Sequence, residues 1–491
     1  MSNYKITIGL EIHAELKTKS KMFCGCINSG EVNEPNTNIC PVCTGQPGTL
    51  PVINKEAVKK VLLVGVAVGG KLADFTEFDR KNYFYPDIPK GYQISQYKYP
   101  LVTGGSIGGI NLERIHLEED TARSTHDTPG VSLVDFNRAG VPLMELVTKP
   151  EINSAEGAVS FAKELQLILQ YLDVSGANME KGEMRVEVNI SVSKDENLGL
   201  NQPEWSIDRI ATTKSILGTK VEVKNINSFR AVAKAIDFEF ERQKTILEKG
   251  EKVLQETRGF DENKEVTFSQ RSKENAHDYR YFPDPDLPKI LLSEIPEFKE
   301  ENLIKELPKL PNEKRKEYSD LGLKQSDIEF YINNSQFRNF FDTVLENKLE
   351  KENISIASNY IVSDISGLSK NSDKGDLGKI DQNNFSKLIQ MIKSGDLSSR
   401  AGKDILKMLF EGGGNPEQIA KEKNLIQKSD LDELKKVMEK IIKENPESVI
   451  DYKNGKETLL QFFIGQGMKA MKGSGNPEAI KSITEELLKN S

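Results

Sequence analysis

Glu11, His13 and Glu15 are the first residues of this sequence whose types and spacing could do chemistry. They alternate with apolar side chains through residues 4–16. Because successive side chains of a β-strand point to opposite faces, the three residues share one face of a predicted strand. Two carboxylates beside an imidazole can hold a divalent cation or move protons if that face lines a cleft. The alternative is an ordinary antiparallel strand with a solvated polar face.

Three further segments repeat this alternation of charged and apolar residues. One of them carries Arg185 and Glu187 on its polar side. A second pairs Glu222 with Lys224, and the third, residues 114–120, has three consecutive acids beside a histidine. Several strands with acids and bases on one face predict a sheet with a concave working surface, which favours the cleft over the solvated face.

All four cysteines of the chain lie in one short segment, as two close pairs. They are Cys24, Cys26, Cys40 and Cys43. A reducing compartment disfavours disulfides, and two Cys pairs separated by a short loop are typical of structural zinc sites. Four thiolates fill a tetrahedral shell and leave no position for substrate, so the loop at 24–43 predicts structural zinc. A redox-active pair is the alternative.

Positive residues near the acids favour phosphoryl chemistry, with Mg²⁺ held by glutamates and a histidine. Lys81, Arg185 and Lys224 could supply positive charge to a transferring phosphoryl group. The chain has no Gly-x-x-x-x-Gly-Lys-Ser/Thr motif. The glycines of residues 104–109 lack the dinucleotide-binding spacing and predict a hairpin turn. An ATP-using enzyme of this sequence would therefore hold its nucleotide on a sheet.

Length and composition limit the class of protein. With 491 residues the chain should form about two to four domains. A net charge of −8 and a pI near 5.5 argue against a general polyanion binder, although a local basic patch could contact RNA. No apolar run is long enough to span a bilayer and no secretory signal is recognisable, so we expect a cytoplasmic protein without membrane contact.

The sequence predicts an α+β protein in three parts. Residues 1–293 mix period-two strands with amphipathic helices that start after Ser154 and Ser228, and these helices should back a mixed or antiparallel sheet. Residues 294–410 and 411–491 are rich in Lys, Glu, Leu and Ile at helical spacing, which predicts a helical domain and a helical tail domain. A turn-rich segment and a glycine run mark the two boundaries.

Several segments of the chain match motifs of a known protein family. They are GLEIH (9–13), FDRKNYFYPD (78–87), YQISQ (92–96), HLEED (116–120), DFNRAG (135–140), KNINS (224–228) and DYRYFP (278–283), with YKNGK (452–456) and GQGMK (465–469) near the end. In this order they resemble the B subunit of the bacterial and organellar tRNA-dependent amidotransferases that act on Asp-tRNA(Asn) and Glu-tRNA(Gln). The resemblance covers the full length of the chain.

The resemblance implies an ATP- and Mg²⁺-dependent ligase that forms a C–N bond with glutamine as nitrogen donor. The family's B subunit phosphorylates the side-chain carboxylate of Glu misacylated onto tRNA(Gln), or of Asp misacylated onto tRNA(Asn). Ammonia from the A subunit, an amidase, then displaces phosphate, and a small C subunit makes the complex a heterotrimer. The family's catalytic part has a glutamine synthetase-like fold, which agrees with a nucleotide held on a sheet.

The resemblance also implies roles for individual residues. Glu11, His13, Glu119 and Glu222 match the family's magnesium and catalytic positions. Lys81 matches a basic residue near the ammonia exit.

Three further residues are expected to bind the ATP cofactor: Arg185, Glu187 and Lys224. Glu187 occupies a position where many members of the family have Asp. The carboxylate is therefore retained, on a side chain that is one methylene longer. The four cysteines occur in only part of the family, which implies that zinc braces the fold and is not the catalytic ion.

The helical tail is expected to bind tRNA. Lys453, Lys456, Lys469 and Lys472 form a local basic stretch that could contact phosphates. A solvated helix surface is the alternative. In the family this tail binds the outer part of the tRNA body, so recognition should depend on shape and backbone.

Two other functions fit parts of the sequence. A zinc-braced RNA-binding scaffold without catalysis would keep tRNA binding after Glu119→Ala, because its acids would be structural. A free-standing amide-forming ligase of the glutamine synthetase type would act on a small molecule and would not need the long helical tail.

Overall fold

A computed structural model gives the structure of the protein. It describes residues 4–29, 34–128, 130–194, 217–272, 279–347, 349–371, 376–427, 431–470 and 477–490. Asp278 and Lys472, two residues of the sequence motifs above, lie outside the described residues. The chain divides into two compact units, Met1–Pro311 and Asn312–Ser491.

The first unit is built on β-strands that form four sheets within the described residues. In chain order the strands are β1 (Tyr4–Glu15), β2 (Lys71–Leu72), β3 (Phe75–Thr76), β4 (Asp79–Asn82), β5 (Tyr92–Ser95), β6 (Val102–Thr103), β7 (Ser106–Ile107), β8 (Ile110–Glu119), β9 (Arg123–Thr128), β10 (Val131–Asp135), β11 (Pro142–Thr148), β12 (Met184–Lys194), β13 (Val221–Lys224), β14 (Glu256–Asp261), β15 (Val266–Ser272), β16 (Phe282–Pro283) and β17 (Ile290–Leu291).

The largest sheet has the strand order β15-β14-β13-β12-β1-β11-β8-β6-β2, with β7 added beside β8. Neighbouring strands are antiparallel, except that β13 and β14 run parallel. The sheet is therefore mixed. A separate three-stranded sheet has the order β16-β4-β5.

Helices cover the apolar face of the large sheet. Among the described residues of this unit the helices are α1 (Lys55–Ala67), α2 (Ala155–Tyr171), α3 (Phe229–Glu248) and α4 (Glu300–Glu306), with 3₁₀ turns at Leu292–Glu294 and Pro296–Phe298. Ile8, Leu10 and Ile12 of β1 are fully buried in the same core as Phe161 and Leu165 of α2. Burying these side chains leaves the polar positions of β1 to line the other face.

Local signals in the sequence place several elements correctly. Ser154 and Ser228 cap α2 and α3, and each accepts a hydrogen bond from the backbone N–H three residues later, at 3.0 and 3.1 Å. Gly108 and Gly109 make the hairpin turn between β7 and β8, with φ of 57° and 83°. Positive φ at both turn residues is what a two-residue hairpin of this kind requires.

The first unit extends further along the chain than the boundary expected at 293. Leu292, Phe298 and Leu303 are buried in the core of the first unit. Their apolar side chains tie the segment before Pro311 to this unit, so the two units separate at Pro311.

The second unit is helical in its described residues. Its elements are α5 (Pro311–Asp320), α6 (Gln325–Asn333), α7 (Ser335–Glu346), α8 (Ile354–Asn359), a π-helix (Tyr360–Ile365), α9 (Ser366–Asn371), α10 (Gln382–Lys393), α11 (Ser399–Gly412), α12 (Pro416–Glu422), α13 (Leu431–Glu444), α14 (Pro446–Lys453), α15 (Leu459–Ala470) and α16 (Pro477–Asn490), with 3₁₀ turns at Lys351–Asn353 and Leu377–Lys379. Leu434, Met438, Phe463 and Ile480 belong to a hydrophobic cluster formed by the last four helices. Within the described residues, no helix is long and apolar enough to cross a membrane.

Candidate active site

Strand register brings two histidines and two glutamates together on the polar face of the large sheet. Glu145 of β11 lies directly opposite His13 of β1 and opposite His116 of β8. Its Oε2 atom is 3.2 Å from His13 Nε2 and 3.5 Å from His116 Nε2. Glu118, two residues after His116, places its Oε1 atom 3.7 Å from His13 Nε2. We call these four residues the histidine–glutamate cluster.

Opposite charges compensate for the burial of this cluster. Burial acts to lower the pKa of His13, but the hydrogen bond to Glu145 and its charge outweigh burial and raise that pKa to about 9. Burial acts to raise the pKa of Glu145, but the charge of His116 and the hydrogen bond from His13 hold it well below its usual range. Burial also acts to lower the pKa of Lys81, but the surrounding charges, that of Glu118 first, together outweigh burial and raise that pKa. Lys81 therefore stays charged beside the cluster.

A second group of acids lies on β1, β12 and β13. Carboxylate oxygens of Glu11, Glu187 and Glu222 lie within 4.8 Å of one another. Burial, followed by the charges of Glu145 and Glu187, raises the pKa of Glu11 to about 7. Lys224 Nζ is 2.8 Å from Glu187 Oε2 and 3.6 Å from Glu222 Oε1. We call the three glutamates the glutamate cluster.

The donor atoms of the glutamate cluster suit a divalent cation, and those around His13 would do so only after His13 loses its proton. Glu145 belongs to two overlapping sets of His and Glu side chains whose donor atoms lie within 4.8 Å of one another. Asn189 lies opposite Glu222 in the strand register, and its buried Oδ1 atom has no hydrogen-bond partner among the described residues. A buried oxygen acceptor beside several carboxylates is stabilised by a cation. Mg²⁺ prefers oxygen ligands, so the glutamate cluster fits this ion.

Arg185, expected to bind cofactor, is already paired with an acid. Its Nη2 atom is 2.7 Å from Asp120 Oδ2, and Arg138 Nε is 3.5 Å from the same oxygen. Burial acts to raise the pKa of Asp120, but the charges of the two guanidinium groups outweigh it and lower that pKa to about 2. Glu15 shares this face of the sheet, and burial together with the charge of Asp120 raises its pKa to about 8. The positive charge of Arg185 is therefore offset within the protein.

The structure does not bring Glu119 into either cluster. Because side chains alternate along β8, Glu119 points to the face opposite Glu118. There its Oε2 atom is 2.7 Å from Lys90 Nζ, and its Oε1 atom accepts a hydrogen bond from the Ile94 N–H at 3.0 Å. Both side chains line a cavity that is also lined by the cysteine loop. The glutamate of β8 that faces His13 is Glu118.

The sequence reasoning missed one residue of the site and left two others without a role. Glu145 was missed, although it is the only charged residue of β11, PLMELVT. A single acid inside an otherwise apolar strand was the available signal, because burying an unpaired carboxylate is costly. His116 and Glu118 were seen within a motif, and their two-residue spacing predicts that they share a face.

The structure brings the four cysteines together as well. All four Sγ atoms lie within 4.8 Å of one another. The buried Lys21 donates a hydrogen bond to the Asn38 carbonyl at 2.9 Å and lies 3.8 Å from Cys43 Sγ. A hydrogen bond from Cys24 outweighs burial and lowers the pKa of Cys43 to about 4. Four clustered sulfurs fit a tetrahedral zinc ion, and the lowered pKa of Cys43 favours the thiolate that zinc binds.

The basic stretch of the tail is exposed where it is described. Lys453, Lys456 and Lys469 all face solvent. Lys456 Nζ lies 2.7 Å from Asp451 Oδ2, so its charge is partly compensated. The other two are the stronger candidates for phosphate contacts.

Comparison with known proteins places the chain in a class. It matches the family model described as the GatB/GatE catalytic domain over residues 6–296, and the model described as the GatB domain over residues 339–488. The polar sheet face described above lies entirely within the first match. The chain therefore carries a catalytic domain of the GatB/GatE class.

Full-length relatives narrow this class to one family. The chain is 42% identical to the B subunit of the aspartyl/glutamyl-tRNA(Asn/Gln) amidotransferase of Thermoanaerobacter sp. (strain X514), over 99% of each protein. It is 42% identical to the protein of the same name from Persephonella marina, over 99% of this chain and 100% of that protein. The corresponding protein of Crocosphaera subtropica is 38% identical, over 99% and 98%. The chain belongs to the B-subunit family of these amidotransferases, as the sequence motifs predicted.

Proposed function

We propose that this chain activates the side-chain carboxylate of misacylated Glu-tRNA(Gln) or Asp-tRNA(Asn) with ATP, and then amidates it to give Gln-tRNA(Gln) or Asn-tRNA(Asn). The names of its relatives support the substrate class. The observation that carries the proposal is the polar sheet face, where the histidine–glutamate cluster and the glutamate cluster lie beside the charged Lys81.

Activation converts a poor acceptor into one with a good leaving group. A carboxylate oxygen of the aminoacyl side chain attacks the γ-phosphorus of ATP, the bond from that phosphorus to the bridging oxygen breaks, and ADP leaves. Ammonia then attacks the acyl carbon, and the carbon–oxygen bond to the phosphoryl group breaks. Inorganic phosphate leaves with the electron pair, and the new amide nitrogen loses a proton.

The chain's own residues position these groups and hold protons. Lys81 would attract the aminoacyl carboxylate, because its ammonium is charged and lies beside the histidine–glutamate cluster. Lys224 would contact phosphate oxygens next to the glutamate cluster. His13, with a pKa near 9, would keep its proton beside the reacting charges, and the proton lost by the nitrogen would pass to water.

Mg²⁺ and zinc belong to the proposal with separate tasks. Glu11, Glu187 and Glu222 would hold Mg²⁺. His13 and Glu118 belong to two different neighbouring donor sets, which share Glu145. When bound, Mg²⁺ would neutralise charge on the phosphoryl oxygens. Zinc on the cysteine loop would brace the fold, because four sulfur ligands leave it no open position.

The proposal includes two other proteins. Ammonia would come from glutamine hydrolysis by an A subunit, the amidase, and a small C subunit would make the complex a heterotrimer. The designation of the relatives as B subunits supports such an assembly. We include a cytoplasmic location in the proposal, because the proposed substrate is an aminoacylated tRNA. A glutamine synthetase-like catalytic part would agree with nucleotide binding on a sheet without a phosphate-binding loop.

The test is conversion of Glu-tRNA(Gln) to Gln-tRNA(Gln) with ATP and ammonium chloride, using the chain in complex with its amidase partner. His13→Ala and Glu145→Gln should lose at least about 100-fold in rate, because each removes a group that would hold the reacting charges. Glu262→Gln, an exposed acid at the β14–β15 turn, is the matched control and should convert normally.

The rival functions give different results in the same assay. Equal conversion by all the variants would move the active site elsewhere and support the RNA-binding scaffold. Amidation of free glutamate without any tRNA requirement would instead support the small-molecule ligase. Circular dichroism of each variant separates a loss of chemistry from a loss of fold.

A further inference from the structure

An arc of aromatic rings runs along the candidate active site, and both of its ends are exposed at the protein surface. In order along the arc the residues are Tyr85, Tyr83, Tyr279, Tyr281 and Tyr97. Successive ring centroids are 6.1, 5.8, 6.1 and 4.5 Å apart, and the last two rings are stacked with an interplanar angle of 12°. We call these five residues the tyrosine arc.

The inner rings of the arc border the histidine–glutamate cluster. The Lys81 ammonium lies 5.3 Å from the ring centroid of Tyr279 and 5.8 Å from that of Tyr83. Burial is the main cause that raises the pKa of Tyr281 to about 12, and the charge of Glu118 adds to it. Tyr279 and Tyr83 therefore contact the cation that would attract the aminoacyl carboxylate in the proposed function.

The outer rings of the arc are open to solvent. Tyr85 is 53% exposed and Tyr97 is 61% exposed. Lys98 follows Tyr97 and is exposed too, so this end of the arc also carries a positive charge. Aromatic rings packed only for the core would be buried along their whole row. A connected row that is exposed at both ends offers aromatic surface to a partner at those ends.

We propose that the tyrosine arc stacks the unpaired bases at the 3′ end of the aminoacylated tRNA and so guides the aminoacyl group to the histidine–glutamate cluster. This inference rests on the proposed function and names how its substrate enters the site. Every base has a π face, so a row of aromatic rings binds unpaired nucleotides without reading their sequence. Lys81 and Lys98 complement the negative charge of such a strand.

The length of the arc favours tRNA over ATP as the occupant. A single adenine covers one or two rings, whereas the exposed rings Tyr85 and Tyr97 are separated by four ring-to-ring steps. A run of unpaired nucleotides offers several bases in succession. The 3′ end of a tRNA also carries the carboxylate that must reach Lys81.

The test measures equilibrium binding and does not require turnover. Fluorescently labelled tRNA(Gln), intact or with its unpaired 3′ nucleotides removed, is titrated with the full-length chain. Wild type should bind the intact tRNA about tenfold more tightly than the truncated one, as expected for stacked bases. Tyr97→Ala and, independently, Tyr85→Ala should reduce this difference, whereas Tyr97→Phe should keep it. Phe268→Ala, which removes a 45% exposed ring on β15, is the matched control.

Several results would overturn the assignment. Wild type could bind intact and truncated tRNA equally, or Tyr97→Ala could raise KM for ATP without affecting tRNA binding, which would assign the arc to adenine. Loss of binding to the amidase partner, with tRNA binding intact, would make the arc a protein interface. If wild type fails to amidate Glu-tRNA while the 3′-end effect is intact, the proposed function is wrong and the arc is supported as an RNA-binding surface.

Discussion

Glu118 and Glu119 are neighbours in the chain but meet different partners, because they lie on opposite faces of β8. Glu118 lies beside His13, and Glu119 pairs with Lys90. We expect Glu118→Gln to reduce tRNA-dependent ATP cleavage at least about 100-fold, since it removes a charge from the histidine–glutamate cluster. Glu119→Gln should leave this cleavage close to wild type. The measurement is release of ADP in the presence of Glu-tRNA and saturating ATP.

The stability of Glu119→Gln shows whether its substitution affects folding separately from ATP cleavage. Glu119→Gln should lower the free energy of unfolding by about 1–3 kcal/mol, because it leaves the partly buried Lys90 ammonium without this charged partner. If Glu119→Gln abolished ATP cleavage and Glu118→Gln did not, the magnesium role carried over to Glu119 by resemblance would be right and the placement by strand face would be wrong.

Glu15 makes stability depend on pH in a direction that can be calculated. An unfolded Glu15 ionises near 4.5, whereas the folded protein keeps its proton until about pH 8 because of burial and Asp120. The folded state therefore binds more protons between these values, and stability falls as pH rises, by at most about 1.4 kcal/mol per pH unit. Glu15→Gln should remove this slope, so its advantage over wild type should grow from pH 5 to pH 8 in urea titrations. An advantage that did not change with pH would contradict the raised pKa.

Single residues also mark the limit of what the sequence can predict. Alternation was sufficient to place Glu11, His13 and Glu15 on one face, because it depends only on the strand itself. The same rule separates Glu118 from Glu119, but the resemblance selected Glu119. Glu145 could not be placed beside His13 from local pattern, because that contact depends on which distant strand pairs with β1.

At the scale of elements, strands and helices were predictable and their order in the sheet was not. The capping residues Ser154 and Ser228 and the alternating strands are local signals, and they place α2, α3, β1, β12 and β13. The position of β11 between β1 and β8 is set by pairing between strands far apart in the chain. That pairing builds the histidine–glutamate cluster, so the centre of the site could not be assembled from sequence pattern alone.

The cysteine loop is the element whose stability should depend on a metal. We expect one zinc ion per chain, and we expect Cys40→Ser and Cys43→Ser to lose it because each removes one of four clustered sulfurs. Melting temperature should fall by about 2–4 °C for each kcal/mol of metal-linked stability. Elemental analysis of the reduced protein measures its zinc content, and calorimetry measures its melting temperature. A zinc-free protein that melts at the same temperature as the zinc-bound protein would contradict a bracing role for zinc.

At the scale of the molecule, two units with separate cores divide the chain. The histidine–glutamate cluster and the glutamate cluster both lie in the unit that ends at Pro311, and the last four helices form their own hydrophobic cluster. In the proposed function, the first unit would carry out the chemistry and the helical tail would bind the body of the tRNA. The predicted boundary near residue 293 rested on composition, which cannot register that Leu303 packs into the first core.

This division predicts that charges in the tail affect binding and not chemistry. Lys453→Glu and Lys469→Glu should raise KM for Glu-tRNA and leave kcat unchanged, because both lysines are exposed in an otherwise acidic chain and lie far along the sequence from the clusters. Each lysine that contacts a phosphate should flatten the dependence of log KM on log salt by about one unit. Lys249→Glu, the same charge change on an exposed residue after α3, is the control. Steady-state kinetics at several salt concentrations measures this slope. An unchanged slope in both tail variants would mean that these lysines lie on solvated helix surfaces and do not contact phosphates.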